Sequence, residues 1–277
     1  MINYMKLLNF EFNRVAKLFA VLLGITLVSQ MIGVIVESKS YLSMANEQMF
    51  EQMMSSAQFL ESHGQMSLLQ VVRSIWFMGP IALCVAGIGF YIFLIWYRDW
   101  FGKNTFIYRL LMLPTSRLNI FYAKITTILI LTIGLVAFQL ILLPIEMWVM
   151  KLIVPAEFRI DIGIYQILTS MPELSIIIPT SFIELILFYG AGVMSVSILF
   201  TAILLERSFK WKGIFAGVLY GGGAILVLIL PILLHEFVLN QFFYPIELFV
   251  LVVLMGVLIL AASIWFSGFL LRKKITV

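Results

Sequence analysis

Four titratable side chains lie in or beside apolar runs, where acid–base chemistry or a polar step in transport would need them: Glu146, Glu184, His235 and Glu236. An ionised carboxylate is costly in hydrocarbon, so Glu184, inside IIIPTSFIELILFYG, is expected to face the helix bundle, a partner or water. Pro179 and Thr180, one turn earlier, suggest a kink there. Two readings follow for Glu184. It is a polar point in the outer half of a translocation path, or a carboxylate near the headgroups, hydrogen-bonded to a neighbouring helix or protonated. Glu146 follows Pro144 and precedes Trp148, the setting of an anchor at a membrane edge. His235 and Glu236 close one apolar run, and Glu247 opens the next. Histidine titrates near neutrality, so this group reads either as a proton relay or as a set of interface residues. With Glu184 and Glu146, His235 supplies the acid and base groups that an intramembrane enzyme would use.

The elements that carry these residues are membrane spans. Hydrophobic residues make up 62% of the 277 and charged residues only 12%. Soluble domains carry about 25% charged residues, so this composition excludes an ordinary water-soluble core. Six apolar stretches, near 18–36, 74–97, 125–147, 176–205, 213–234 and 246–271, are each long enough for a hydrocarbon layer about 30 Å thick. The expected fold is all-α: one polytopic transmembrane domain over 1–277, with no internal repeat. Residues 1–17 place Met1, Met5, Leu8, Phe12 and Val15 on one helical stripe, opposite Lys6, Asn13 and Lys17. That pattern predicts an interfacial helix lying in the headgroup layer. The first apolar run is then an uncleaved signal anchor. Between the first two spans, 37–73 is polar enough for an amphipathic surface helix, and 148–175 predicts short helices and turns.

Charge sets the orientation. With both termini inside, 14 of the 18 Lys and Arg are cytoplasmic; the other four are Lys39, Arg73, Lys151 and Arg159. Of the 14 acidic residues only Glu11, Asp99 and Glu206 fall inside. This asymmetry predicts a multi-pass plasma-membrane protein with cytoplasmic N- and C-termini. It also accounts for the pI near 9.1 without nucleic acid as a partner.

The most basic loop lies between the second and third spans, at 98–124. Asn104 or Thr105 can cap a short helix, FIYRLLML, which Pro114 ends; Thr115 or Ser116 can cap the next helix. Arg98 with Asp99, then Gly102 and Lys103, a leucine-rich turn (Leu110, Leu111, Leu113), Pro114-x-x-Arg117 and Lys124 follow in order. With the six-span layout, this loop resembles the first cytoplasmic loop of ABC type-2 export permeases of the Gram-positive bacterial type. The resemblance implies that the short helix containing Arg109 is a coupling helix seated in a groove of a separate ATPase. It further implies two ATPase copies that bind ATP and Mg, a second permease chain (identical or homologous), and no cofactor in this chain. The second cytoplasmic loop, with Glu206, Arg207, Lys210 and Lys212, would touch the same ATPase or serve only as a charged turn. Glu184, Glu146, His235 and Glu236 become candidates for the translocation path, and an amphipathic peptide, a lipid or a drug the expected cargo.

No GxxxxGK[ST] phosphate loop occurs, so ATP hydrolysis is expected only in complex with a partner; GxSxG and HExxH are absent too. The lone Cys84 reads as a small buried hydrophobe, and no Cys/His spacing suits a metal. Two other classes compete with the exporter. One is a peptide immunity or sensor protein without transport; the other is the acid/base enzyme above. Gly217 and Gly221, spaced as GxxxG, read as helix packing first and as a dimer seam or gating hinge second.

Overall fold

A computed structural model describes residues 2–51, 53–101, 106–112, 115–238 and 242–275. The described residues form helices and no strand. In chain order the helices are α1 (Ile2–Glu51), α2 (Ser56–His63), α3 (Leu68–Arg73), α4 (Ile75–Trp100), α5 (Phe106–Leu111) and α6 (Leu118–Ile153), then α7 (Ile164–Thr169), α8 (Pro172–Ile177), α9 (Phe182–Phe209), α10 (Trp211–Phe237) and α11 (Pro245–Lys273). A 3-10 turn, Ala156–Phe158, follows α6. Helices α1, α4, α6, α9, α10 and α11 are long and apolar enough to cross a membrane. The chain is an all-α polytopic membrane protein. Lipid enforces this architecture, because a helix satisfies its own backbone donors and acceptors where no water is present.

The 1–17 segment differs from its expected form. It is no separate helix but the start of α1, which runs unbroken for 50 residues, about 75 Å at the helical rise. No proline interrupts it, and nothing between Lys17 and Leu18 stops a helix. Its stripe is also rotated: Leu7, Glu11 and Val15 are buried at spacings of four, while Met5 is exposed.

The chain packs as two compact units. The first comprises Met1–Asn13, Phe90–Leu129 and Leu185–Val277. At its centre Trp96 of α4 and Phe121 of α6 each meet Phe200 of α9 edge-on, at ring separations of 5.6 and 5.7 Å. Thr201 of α9 bonds Ser267 (2.8 Å) and the Ser263 carbonyl (3.2 Å) of α11, and Tyr220 of α10 meets the Ser263 hydroxyl at 2.6 Å. Such hydroxyl bridges hold helices together where burial from water contributes little. The connection between α9 and α10 contracts to a single residue, Lys210, at φ 54°. Gly213 makes this turn possible: a Cβ there would lie 2.1 Å from the Leu205 carbonyl oxygen. Gly217 lies less tightly against Ala202, where a Cβ would come 3.1 Å from the carbonyl oxygen, and Gly221, Gly222 and Gly223 face open space.

The second unit comprises Arg14–Gly89 and Ile130–Glu184. Gln30 of α1 and Gln139 of α6 exchange amide hydrogen bonds of 3.0 and 3.2 Å, and Thr26 meets Cys84 at 3.4 Å. Farther along, Val34, Phe77, Leu143 and Met150 join α3, α7 and α8 in the main apolar cluster. Arg159 closes α6 by donating to the Lys151 and Val154 carbonyls, and Asp161 pairs with both Lys151 (2.9 Å) and Arg159 (3.4 Å).

Candidate functional site

The α4–α6 loop and its anchorage are the best-built polar site of the chain. Its short helix, α5, spans Phe106–Leu111, within the stretch that the capping pattern predicts. Gly102, Lys103, Leu113 and Pro114 lie outside the described residues, as do both proposed caps, Asn104 and Thr105. Helix α5 is two-faced. Ile107, Leu110 and Leu111 are buried, whereas Tyr108, Arg109 and Met112 are exposed, Met112 by 67%. Phe106 stacks on Phe10 of α1 with ring centroids 5.4 Å apart. Leu110 and Leu111 therefore hold α5 down, and Arg109 remains on the open face with Tyr108 and Met112.

Beneath the loop lies a knot of four charges. Lys124, fully buried on α6, donates to Glu11 Oε1 (2.7 Å), Asp99 Oδ2 (2.5 Å) and the Ile95 carbonyl (2.8 Å). Its three ammonium protons are thus all used. The same ammonium lies 5.0 Å from the centre of the Trp96 ring. Arg98 reaches the other oxygen of Glu11 at 3.2 Å. In the described contacts two cations face two carboxylates, so each buried charge is answered by an opposite one, as burial requires. It ties α1, the end of α4 and the start of α6 together at the loop's two ends. Asp99 and Lys124 are therefore buried tethers, with no open face for a docking protein.

Arg117 has a similar duty. Its guanidinium donates to the carbonyls of Leu271 (2.6 Å) and Ile275 (3.0 Å), closing the end of α11. Neither proposed cap of α6 is formed through a side chain: Asn119 N–H bonds the Ser116 carbonyl, and the Thr115 hydroxyl is buried without a partner among the described residues. In the last turn of α9, Glu206 accepts from the Tyr97 hydroxyl, and the Arg207 guanidinium lies 4.6 Å from the Tyr97 ring centre and 5.8 Å from that of Trp100. Lys210 and Lys212 are exposed.

Comparison with known families, curated proteins and solved structures finds no match. Function therefore has to be read from the site alone.

Of the candidate path residues, Glu146 and Glu184 fall in the second unit and His235 and Glu236 in the first. Glu184 is no buried carboxylate. It accepts from the Thr180 N–H (3.0 Å), the Thr180 hydroxyl (3.2 Å) and the Ser181 N–H (3.3 Å), while Ser181 Oγ accepts from Glu184 N–H (3.2 Å). That is a reciprocal cap on α9, and Ser-x-x-Glu was its sign in the sequence. Glu146, expected at a membrane edge, is fully buried in the second unit with no hydrogen bond to Glu184. His235, in the first unit, accepts from the Phe243 N–H at 3.4 Å, and its neighbour Glu236 is exposed. Sequence reading missed Glu11 altogether. Its spacing of four from both Leu7 and Val15 marks a buried position, which an acid occupies only with partners.

Proposed function

We propose that the chain is the transmembrane permease subunit of an ATP-driven ABC exporter, with α5 as the element gripped by a separate ATPase. The observation that carries this reading is the division of α5. One face is fixed by Ile107, Leu110 and Leu111, and the other presents Tyr108, Arg109 and Met112. An aromatic, a guanidinium and a flexible thioether are the side chains that favour protein interfaces. The loop is tethered at both ends by buried charge, so a push on α5 passes directly to α1, α4 and α6.

On this reading the loop faces the cytoplasm, where the positive-inside bias puts it. Two ATPase subunits bind ATP and Mg, a second permease chain, identical or homologous, completes the path, and this chain hydrolyses nothing alone. The apolar spans suit an amphipathic or hydrophobic cargo. The test is affinity purification of the chain from its native membrane. A tightly bound subunit with a phosphate loop and ATPase activity is expected. Arg109→Glu with Met112→Asp should release it while leaving the chain inserted and folded. Full ATPase binding by that double variant refutes the assignment of α5.

A further inference from the structure

The apolar cluster of the second unit is interrupted at one point. Glu146 lies on the inward face of α6, one turn from Leu142 and Leu143 on one side and Met150 on the other, all buried. Neither of its carboxylate oxygens has a hydrogen-bond partner among the described residues. The charged groups on the surrounding elements do not answer it. Lys151 and Arg159 are both engaged with Asp161. Glu37, Lys39, Arg73, Glu157 and Glu173 make no hydrogen bond to it, and the Tyr41 hydroxyl is given to the Gly64 carbonyl.

An unpaired ionised carboxylate in such surroundings is strongly disfavoured even after relaxation. A neutral carboxyl avoids most of that cost. Two residues before Glu146, Pro144 removes one helical hydrogen bond from α6 and marks where the helix can open.

We propose that Glu146 is a proton-binding site: its carboxyl holds a proton while the second unit is packed, and yields it to water when α6 opens at Pro144. Glu146 needs no ATPase partner for this role, so it stands or falls independently of the permease reading. The experiment is infrared spectroscopy of the full-length protein in lipid nanodiscs at neutral pH. A carbonyl band of a protonated carboxylic acid is expected in the unmutated chain and absent in Glu146→Gln. Labelling glutamate at its carboxyl carbon should move the band in the unmutated chain, which assigns it to a glutamate even if the variant fails to fold. Pro144→Ala should preserve the band to more alkaline pH. A chain without a label-sensitive acid band at neutral pH overturns the site. A band lost at the same pH with and without Pro144 overturns the coupling to opening.

Discussion

Replacing Lys124 by methionine tests the charge knot directly. The substitution keeps much of the side-chain volume and removes one positive charge from the buried cluster. Glu11 retains Arg98 at 3.2 Å, but the fully buried Asp99 loses its 2.5 Å contact with the ammonium. Breaking a buried pair from one side costs about 3–5 kcal/mol. That corresponds to between about a hundredfold and a few thousandfold in the folding equilibrium. Lys124→Met with Asp99→Leu should behave differently, since it removes both charges of that contact and leaves Glu11 with Arg98. Replacing a whole buried pair by apolar groups is often close to neutral, so the double variant should recover most of the loss. The assay is equilibrium unfolding of the two single variants and the double variant in mixed micelles, read as a double-mutant cycle. A single-variant cost below about 1 kcal/mol would place the charges in effective contact with water. A double variant no better than Lys124→Met would show that packing, and not charge balance, holds the three helices together.

Gly213→Ala should open the α9–α10 turn, because the added Cβ would meet the Leu205 carbonyl oxygen at 2.1 Å. A loss of about 3 kcal/mol or more is expected in unfolding experiments. Glu184→Gln should keep the α9 cap, whereas Glu184→Ala should fray the first turn and speed amide exchange at Phe182 and Ile183. The Asp161 carboxyl is held below the usual aspartate range, chiefly by its hydrogen bond from Lys151 and then by the charges of Lys151 and Arg159. A depressed folded-state value gives stability that is present above the unfolded aspartate value and lost as pH falls through the folded one. Asp161→Asn should therefore flatten the acid limb of a stability–pH profile by lowering the neutral plateau, and leave stability below the folded-state value nearly unchanged.

The fold class was legible because a run of about twenty apolar residues has few solutions in lipid. The α5 helix was legible too, since a proline and capping residues bracket it in the sequence. The orientation of its side chains was not. Nothing in FIYRLLML says which leucine turns inward until Phe10 is stacked on Phe106. The tethers were less visible still. Glu11 and Lys124 are 113 residues apart, and a lysine beside a membrane span ordinarily signals topology and not a buried partner. Glu184 illustrates the opposite error: apolar neighbours outweighed Ser181, three residues earlier, whose hydroxyl completes a reciprocal cap. The burial of Glu146 was not legible for a related reason. Trp148 on the exposed face of α6 suggested a membrane edge, but two residues along a helix turn a side chain to a different face.

Arg117 carries a practical consequence. The loop that holds α5 is fastened to the main chain of Leu271 and Ile275, so one guanidinium joins that loop to the last turn of α11. A fluorophore near Ile275 would register movement of the loop without touching it, and a bulky group at the same point would load the contact itself.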